Sequence, residues 1–400
     1  MRILTIKDFC YISDGNYSSK YPRSDEFVSV GIPFIRANNL VNGTVVADDM
    51  YYISPDKHAE LRKGHLQEGD VLITTRGNIG QTAIVPEKFH DANINAQIVL
   101  LRVDRNIAIP QYLAYALHSE SVEDQIRRST TGTALKQLPV GKLENIKVKI
   151  HSYSEQQRIV TVMHQVDELI YARRKQLAKL DQFVKSRFIE LFGDPIDNPK
   201  GLPVKTLKGL STLITNGNTP KGGSENYVDE GILFLRSQNV WRNRIELDDV
   251  AYIDEATHRS LKKSSLKHKD ILITKTGRIN TENSSLGRAA LYLGDDDSAN
   301  INGHVYLVRL DGSVVPEYVV TILTSEAYRK YIRKVCVGGI DKRQINLDQV
   351  EDFPIILPPV ELQKQFAAFV EQTDKSKLAI QQSLDKLEML KKSLMQEYFG

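Results

Sequence analysis

Four hundred residues exceed what one typical hydrophobic core organises, so at least two domains are expected. Hydrophobic residues at 41% and charged residues at 26% fit an ordinary globular chain, and a net charge of +3 permits a nucleic-acid partner without arguing for one. Two cysteines, Cys10 and Cys336, exclude a disulfide framework and fit a reducing cytoplasmic compartment.

The opening "MRILTIKDFC" reads as a short strand, not a secretory leader. No apolar run approaches the roughly 20 residues that span a bilayer, so no membrane partner is expected. Apolar stretches then follow at "GIPFIRANNL" (31–40), "GDVLITTRGNIG" (69–80) and "INAQIVLLRVD" (94–104), with a helix predicted at 110–127 and a strand in "IKVKI". A polar stretch over 155–192 lacks glycine and proline and predicts a helix about 57 Å long. Ser154 and Gln157 suit a capping box at its start, and Gly193 then Pro195 suit its stop.

The order then repeats. "GILFLRSQNV" (231–240), "KDILITKTGRIN" (269–280) and "INGHVYLVRLD" (301–311) answer the three stretches above, a helix at 316–334 answers 110–127, and a long helix at 361–399 follows Pro358-Pro359. The offset is 200 early and 206–207 later, the drift coming from an insertion at 278–289. An ordered series at nearly constant offset marks a duplicated module. The expected fold is α+β: two similar globules joined by two long helices that form an antiparallel coiled coil, as an internal repeat. The expected boundaries are 1–153 and 195–359 for the globules, and 154–194 and 360–400 for the helical regions.

Both long helices carry an apolar period of 3.5. The first seam runs through Ile159, Met163, Val166, Ile170, Leu177, Leu180, Val184 and Leu191, and the second through Phe366, Val370, Ile380, Leu384, Leu387 and Leu394. Charged residues interrupt it. Full antiparallel overlap sets Arg173 opposite Leu384, Arg187 opposite Val370, Lys377 opposite Leu180 and Lys391 opposite Val166, where long stems can carry the charges outward.

No catalytic signature is present: no GxGxxG after a strand, no P-loop, no HExxH, no GxSxG. "LPPVEL" (357–362) lacks the flanking residues of a DNA amino-methyltransferase motif. The histidines are scattered without ligand spacing, so no metal site and no cofactor are assigned. A binding protein is favoured.

The pattern "GIPFIR…NNL", "GDVLITTRGNIG", a closing strand and a long helix opening "SEQQRI", all occurring twice, resembles the specificity subunit of type I restriction–modification enzymes over essentially the whole chain. The second helix keeps the family's proline-rich opening as "PPVELQ" (358–363), whereas the first reads "HSYSEQQ" (151–157). The resemblance implies a non-catalytic subunit whose two globules are target recognition domains for double-stranded DNA. It implies docking of two modification (methyltransferase) subunits, which bring S-adenosylmethionine, and of restriction (translocase-nuclease) subunits, which bring ATP and Mg. A related two-subunit methylation-and-cleavage system, or a coiled-coil scaffold holding two protein-binding globules without DNA, are the alternatives.

Base edges are read chiefly by Arg and Lys on guanine and by Asn and Gln on adenine. The candidates in the first half are Asn16, Tyr17, Arg36, Asn38, Asn39, Thr75, Arg76, Asn78, Lys136 and Gln137. Those in the second half are Asn218, Lys221, Arg236, Gln238, Asn239, Lys275, Arg278, Lys342, Arg343 and Gln344. Asn16 and Asn218 adjoin glycines and suit either a turn or a contact. Residues shared by both halves, Arg36/Arg236 and Asn39/Asn239, suit framework or phosphate grip. The differing pairs, Asn38/Gln238, Arg76/Thr276 and Asn78/Arg278, suit sequence reading. The insertion suits a reading loop or a surface loop, and "YARRKQ" (171–176) a solvated helix face or a surface toward DNA.

Overall fold

A computed structural model describes residues 1–15, 20–132, 136–220, 222–281 and 283–400. The chain divides into two compact units, Met1–Lys175 with Gln381–Gly400, and Gln176–Ile380. Each long helix is therefore shared, its two ends belonging to different units.

In the first unit, a six-stranded sheet runs in the order Cys10–Asp14, Ile98–Val103, Val71–Thr74, Thr82–Ile84, Gly43–Val45 and Leu40–Val41. A smaller sheet is built on Ile32–Ile35, which pairs parallel with Asn93–Ile94 and antiparallel with Tyr51–Ile53. The opening strand Arg2–Thr5 pairs with the closing strand Lys147–Ile150. The "VLIT" and "IVLLRV" runs are buried almost throughout, as strands covered on both faces must be. The second unit repeats this plan: Ser211–Asn216, Val305–Leu310, Ile271–Thr274 and Ala289–Leu291 form the main sheet, Ile232–Leu235 anchors the smaller one, and Val204–Thr206 pairs with Pro354–Ile356.

The helix predicted at 110–127 is two helices, Pro110–Leu117 and Glu120–Ser129, and that at 316–334 is Pro316–Thr324 and Glu326–Val335. The serines at the breaks explain it. Ser119 and Ser325 are extended, and Ser325 Oγ accepts from Tyr328 N at 3.1 Å, capping a new helix.

The long helices span Tyr153–Phe192 and Val360–Phe399. The first starts earlier than its capping-box reading, because Ser152, not Ser154, accepts from Glu155 N at 3.4 Å. Gly193 stops it in the left-handed conformation, φ +79. Buried glutamines fasten both starts. Gln156 Oε1 accepts from Ile109 N and its Nε2 donates to Ile107 O and His151 O, each at 3.0 Å. Gln363 likewise accepts from Val315 N at 3.0 Å and donates to Pro358 O at 2.8 Å.

None of the seam side chains is exposed. Within the first unit, Lys391 Nζ meets Asp167 at 2.6 Å and Arg174 Nη2 meets Glu388 at 2.7 Å. Within the second, Lys377 Nζ meets Asp181 at 2.7 Å, and the Phe183 and Phe369 rings meet edge-on at 5.1 Å. The helix segments thus run antiparallel in both units, and the seam lysines extend past the apolar line to carboxylates beside it. Helix ends also complete the cores. Ile159, Met163, Tyr398 and Phe399 join the core of the first unit, and Phe188, Phe192 and Phe366 that of the second. Among the described residues no helix is long and apolar enough to cross a membrane.

Candidate nucleic-acid interface

The repeated phrase after Ile32–Ile35 builds a tight corner. The chain leaves the strand extended at Arg36 and enters a single 3-10 turn, Ala37–Asn39. Asn39 is fully buried: its Oδ1 accepts from Arg36 N at 3.0 Å and its Nδ2 donates to Asp48 O at 2.8 Å. The Arg36 guanidinium donates to the Asp49 carboxylate at 2.8 Å and lies 3.4 Å from the Tyr51 ring centroid. The second unit repeats the asparagine bracket and the arginine–aspartate pair, but its 237–239 segment is a plain turn and Ala251 stands where Tyr51 does. Asn239 accepts from Arg236 N at 2.9 Å and donates to Asp249 O at 2.9 Å, and Arg236 donates to the Asp249 carboxylate at 3.0 Å. The shared residues therefore hold the corner itself.

Between them sit the residues that differ. Asn38 and Gln238 are exposed, and each donates to the same aspartate that holds the arginine, Asn38 to Asp49 at 3.4 Å and Gln238 to Asp249. A base edge at either position would compete with a carboxylate for the amide.

Backbone hydrogen bonds bring the other candidates to the same margin. In the first unit Asn95 N donates to Ile35 O at 2.9 Å, Thr75 N to Gln97 O at 2.8 Å, and Gly15 N to Ile98 O at 3.2 Å. Leu138 N reaches Thr75 O at 2.8 Å, and Arg76 bridges Gln137 in antiparallel register. The corner at 36–39, the 75–78 loop and the 136–137 segment thus start side by side. Thr75 is buried; Arg76, Asn78, Lys136 and Gln137 are exposed. In the second unit the equivalent bonds are Asn302 N to Leu235 O, Lys275 N to His304 O, Gly217 N to Val305 O and Ile345 N to Lys275 O. There Thr276–Arg278 pairs with Lys342–Gln344 as a regular antiparallel ladder, bringing Arg278 opposite Lys342. Arg278 and Lys342 are exposed, while Arg343 and Gln344 are half-buried. Arg278 Nε meets Asp341 at 3.3 Å, Arg343 Nε donates to Gly339 O at 3.2 Å, and Lys275 Nζ lies 5.8 Å from the Tyr306 ring centroid. Asn218 is exposed beside Gly217. Asn16, Tyr17 and Lys221 lie outside the described residues.

Several contributors carry no base-reading chemistry and are invisible in a list of polar side chains. A Cβ on Gly15 would stand 2.2 Å from Asn95 O, and one on Gly217 would stand 2.0 Å from Ile301 O. Only glycine lets the strand pass the turn this closely. The insertion at 278–289 is anchored at its base. Leu286 is buried in the core, and the buried Arg288 stacks 3.8 Å from the Trp241 ring centroid while its Nε donates to Ser284 O at 3.0 Å. Burial lowers the Arg288 pKa, and the nearby Arg242 adds to the effect. In "YARRKQ", Tyr171 is exposed and Arg174 is paired with Glu388 across the helix pair.

A family model described as the type I restriction modification DNA specificity domain matches residues 1–182 and again 199–389. The type I restriction enzyme MjaIX specificity subunit of Methanocaldococcus jannaschii is 22% identical over 391 residues, covering 92% of this chain and 85% of that protein. The crystal structure of the type I restriction-modification S subunit from M. genitalium superposes with a TM-score of 0.59 at 13% identity, covering 100% of this chain and 96% of the other. A chain solved in work on complex assembly and conformational transition of the type I R-M system gives 0.58 at 17% identity, covering 99% and 96%. At these identities the two solved structures establish likeness of fold.

Proposed function

The chain belongs to the family of type I restriction–modification DNA specificity subunits, and on that premise we propose that it reads a bipartite, asymmetric target in double-stranded DNA, one half-site with each unit, and performs no chemistry itself. The carrying observation is the duplicated corner: each copy buries the same asparagine and exposes a different amide. Asn39 and Asn239 spend their hydrogen bonds on the corner, and Arg36 and Arg236 each turn Nη2 to Asp49 or Asp249. Asn38/Gln238, Arg76/Thr276 and Asn78/Arg278 carry different donors on the same scaffold. Two modules built this way read two different short sequences.

In this reading, amides at 38 and 238 and the guanidinium groups of Arg76 and Arg278 address base edges, each bidentate contact discriminating by about 1–3 kcal/mol. Lys136, Lys275 and Lys342 address phosphates, which fix register and make binding steeply salt-dependent. The long helices, 40 residues each and about 60 Å by helical rise, set the unread gap between half-sites. Methyl transfer and cleavage belong to partners: two modification subunits bearing S-adenosylmethionine, and restriction subunits using ATP and Mg.

Methylome sequencing of cells that express the chain with its modification subunits tests this. The expected result is one asymmetric, gapped methylated motif. Exchanging residues 69–80 for those of another family member should change one half of the motif and leave the other intact. An unchanged motif, or changes in both halves, would overturn the assignment of one half-site to each unit.

A further inference from the structure

In the first unit, well away in sequence from every candidate above, two histidines converge on one carboxylate. His58 lies on the helix Pro55–Glu60, His65 precedes a main-sheet strand, and Asp91 occupies a left-handed turn, φ +59. His58 Nε2 is 3.2 Å from Asp91 Oδ2, His65 Nδ1 is 3.3 Å from Asp91 Oδ1, and the two rings are 4.4 Å apart.

The remaining nitrogen of each ring is already committed. His65 Nε2 meets the backbone carbonyl of Leu61, which can only accept, so that nitrogen carries the proton. His58 Nδ1 meets Asn93 Oδ1, and the amide is oriented by Nδ2 donating to Lys63 O at 3.5 Å, so His58 Nδ1 is the protonated nitrogen too. In their neutral forms both rings therefore direct a lone pair at the carboxylate. Lone pair against carboxylate repels unless a cation lies between them.

Two protons or one metal ion would resolve this, and the spacing of the cluster has room for the metal. A charge-assisted N–H···O bond closes to about 2.7–2.9 Å. Two ligands of one zinc-like ion, at roughly 2.0–2.1 Å each and a tetrahedral angle, stand about 3.3 Å apart. The observed separations, each to a different oxygen of Asp91, are 3.2 and 3.3 Å, and one donor atom from each of the three residues lies within 4.8 Å of the others. The supports are those that metal-binding histidines use: a carbonyl and a fully buried amide on the far nitrogens, and Arg102 Nη2 holding His65 O at 3.0 Å.

The second unit supplies the contrast. There His258 again meets Asn300, but Ser265 replaces the second histidine and donates its hydroxyl proton to Asp297 at 2.7 Å. The aspartate is satisfied there by a donor; in the first unit its neighbours, in their neutral forms, are acceptors. We propose that His58, His65 and Asp91 bind one transition-metal dication of the zinc class, with solvent completing its coordination. The site fastens the helix Pro55–Glu60 to the turn that leads into Asn93–Ile94, the strand paired with Ile32–Ile35 below the Arg36 corner. This assignment stands apart from the DNA-reading proposal and replaces the expectation that the histidines serve only packing or surface. The three residues are 7 and 26 positions apart in the chain, a spacing that resembles no ligand motif.

Titration of the tag-free full-length chain with cobalt(II) tests it. The expected result is a visible absorption band of low-symmetry cobalt that saturates at one equivalent and is abolished by zinc(II). His65→Ser, which writes the second unit's arrangement into the first, and Asp91→Asn, which keeps the turn, should each lose the band. Both should retain cooperative unfolding without metal, while zinc raises the unfolding midpoint of the parent chain only. Absence of the band in the parent chain, or a band undiminished in both variants, would overturn the proposal. A zinc-induced stabilisation that survives in His65→Ser would overturn it as well.

Discussion

The Arg102 guanidinium grips the Asp70 carboxylate through two parallel hydrogen bonds, Nε to Oδ1 at 2.9 Å and Nη2 to Oδ2 at 2.8 Å. Arg309 and Asp270 repeat the pair at 2.9 and 2.7 Å. Both aspartates are buried, and each arginine pKa is raised, chiefly by the hydrogen bond to its aspartate. The same Nη2 also holds His65 O or Ser265 O, so one side chain ties a main-sheet strand to the segment before the next. Replacing either arginine by alanine strands a buried carboxylate and should cost roughly 3–5 kcal/mol. Trp241, the single tryptophan, reports the second unit. Chemical denaturation followed by its fluorescence should show the loss for Arg309→Ala, and circular dichroism should show it for Arg102→Ala. Lysine should rescue neither, because an ammonium cannot form the parallel pair.

The glycine before each first loop is a steric requirement. Gly217→Ala drives a methyl group into Ile301 O, a backbone atom that cannot swing aside. A loss of about 1–3 kcal/mol or more in the tryptophan-monitored transition is expected. Gly209→Ala, in the same unit, where an added Cβ meets only Thr206 Oγ1 at 3.4 Å, is the matched control and should be close to neutral.

On the proposed reading, Arg278 should separate recognition from stability. Its guanidinium pairs with the exposed Asp341, and an exposed ion pair of this kind is worth roughly 0–1 kcal/mol. Arg278→Ala should leave the unfolding midpoint nearly unchanged while the assembled complex loses discrimination at one half-site by about 1–3 kcal/mol. Competition binding with DNA substituted base by base across that half-site measures it. Asp341→Asn frees the guanidinium and should keep discrimination.

Acid stability of the first unit depends in part on His118. Packing around the ring lowers its pKa and Lys391 lowers it further, Glu123 opposing, while Nε2 bonds Thr82 Oγ1 at 2.7 Å; 46% of the side chain stays accessible, so solvent tempers the effect. A depressed folded-state pKa means the unfolded chain takes up the proton first. The contribution is complete above the unfolded value of about 6.5 and is lost as pH falls through the folded one. Unfolding midpoints measured from about pH 7.5 down to 5 should fall less steeply for His118→Gln than for the parent chain. His151, shifted the same way by burial, supplies a residual slope.

Periodicity explains how much of this fold could be read in advance. The seam of the long helices repeats every 3.5 residues, so Ile159 through Leu394 announce their buried face without any coordinate. Antiparallel overlap follows from the globule that separates the helices. The duplicated corner was also legible, since comparing two copies separates Arg36 and Asn39, which recur, from Asn38, which does not. What sequence could not supply was local competition and close approach. Ser119 and Ser325 sit within helical patterns yet break them, and Ser152, not Ser154, accepts from Glu155 N and Gln156 N where the first long helix begins. Gly15 and Gly217 look like ordinary turn residues until the carbonyl beside each is placed. His58, His65 and Asp91 share no period, because three separate elements deliver them.

Tyr398 and Phe399 belong to the core of a unit that otherwise begins at Met1, and Ser121 Oγ donates to Phe399 O at 3.1 Å across 278 residues of chain. During synthesis, at about 5–20 residues per second, the apolar slot around Tyr112 and Met163 therefore waits on the order of ten to forty seconds after residue 176 before its occupants leave the ribosome. The second unit, wholly contained in Gln176–Ile380, holds every strand and helix it needs before that moment. The unit translated first is the one finished last, and the nascent chain must keep an open hydrophobic surface soluble throughout the interval.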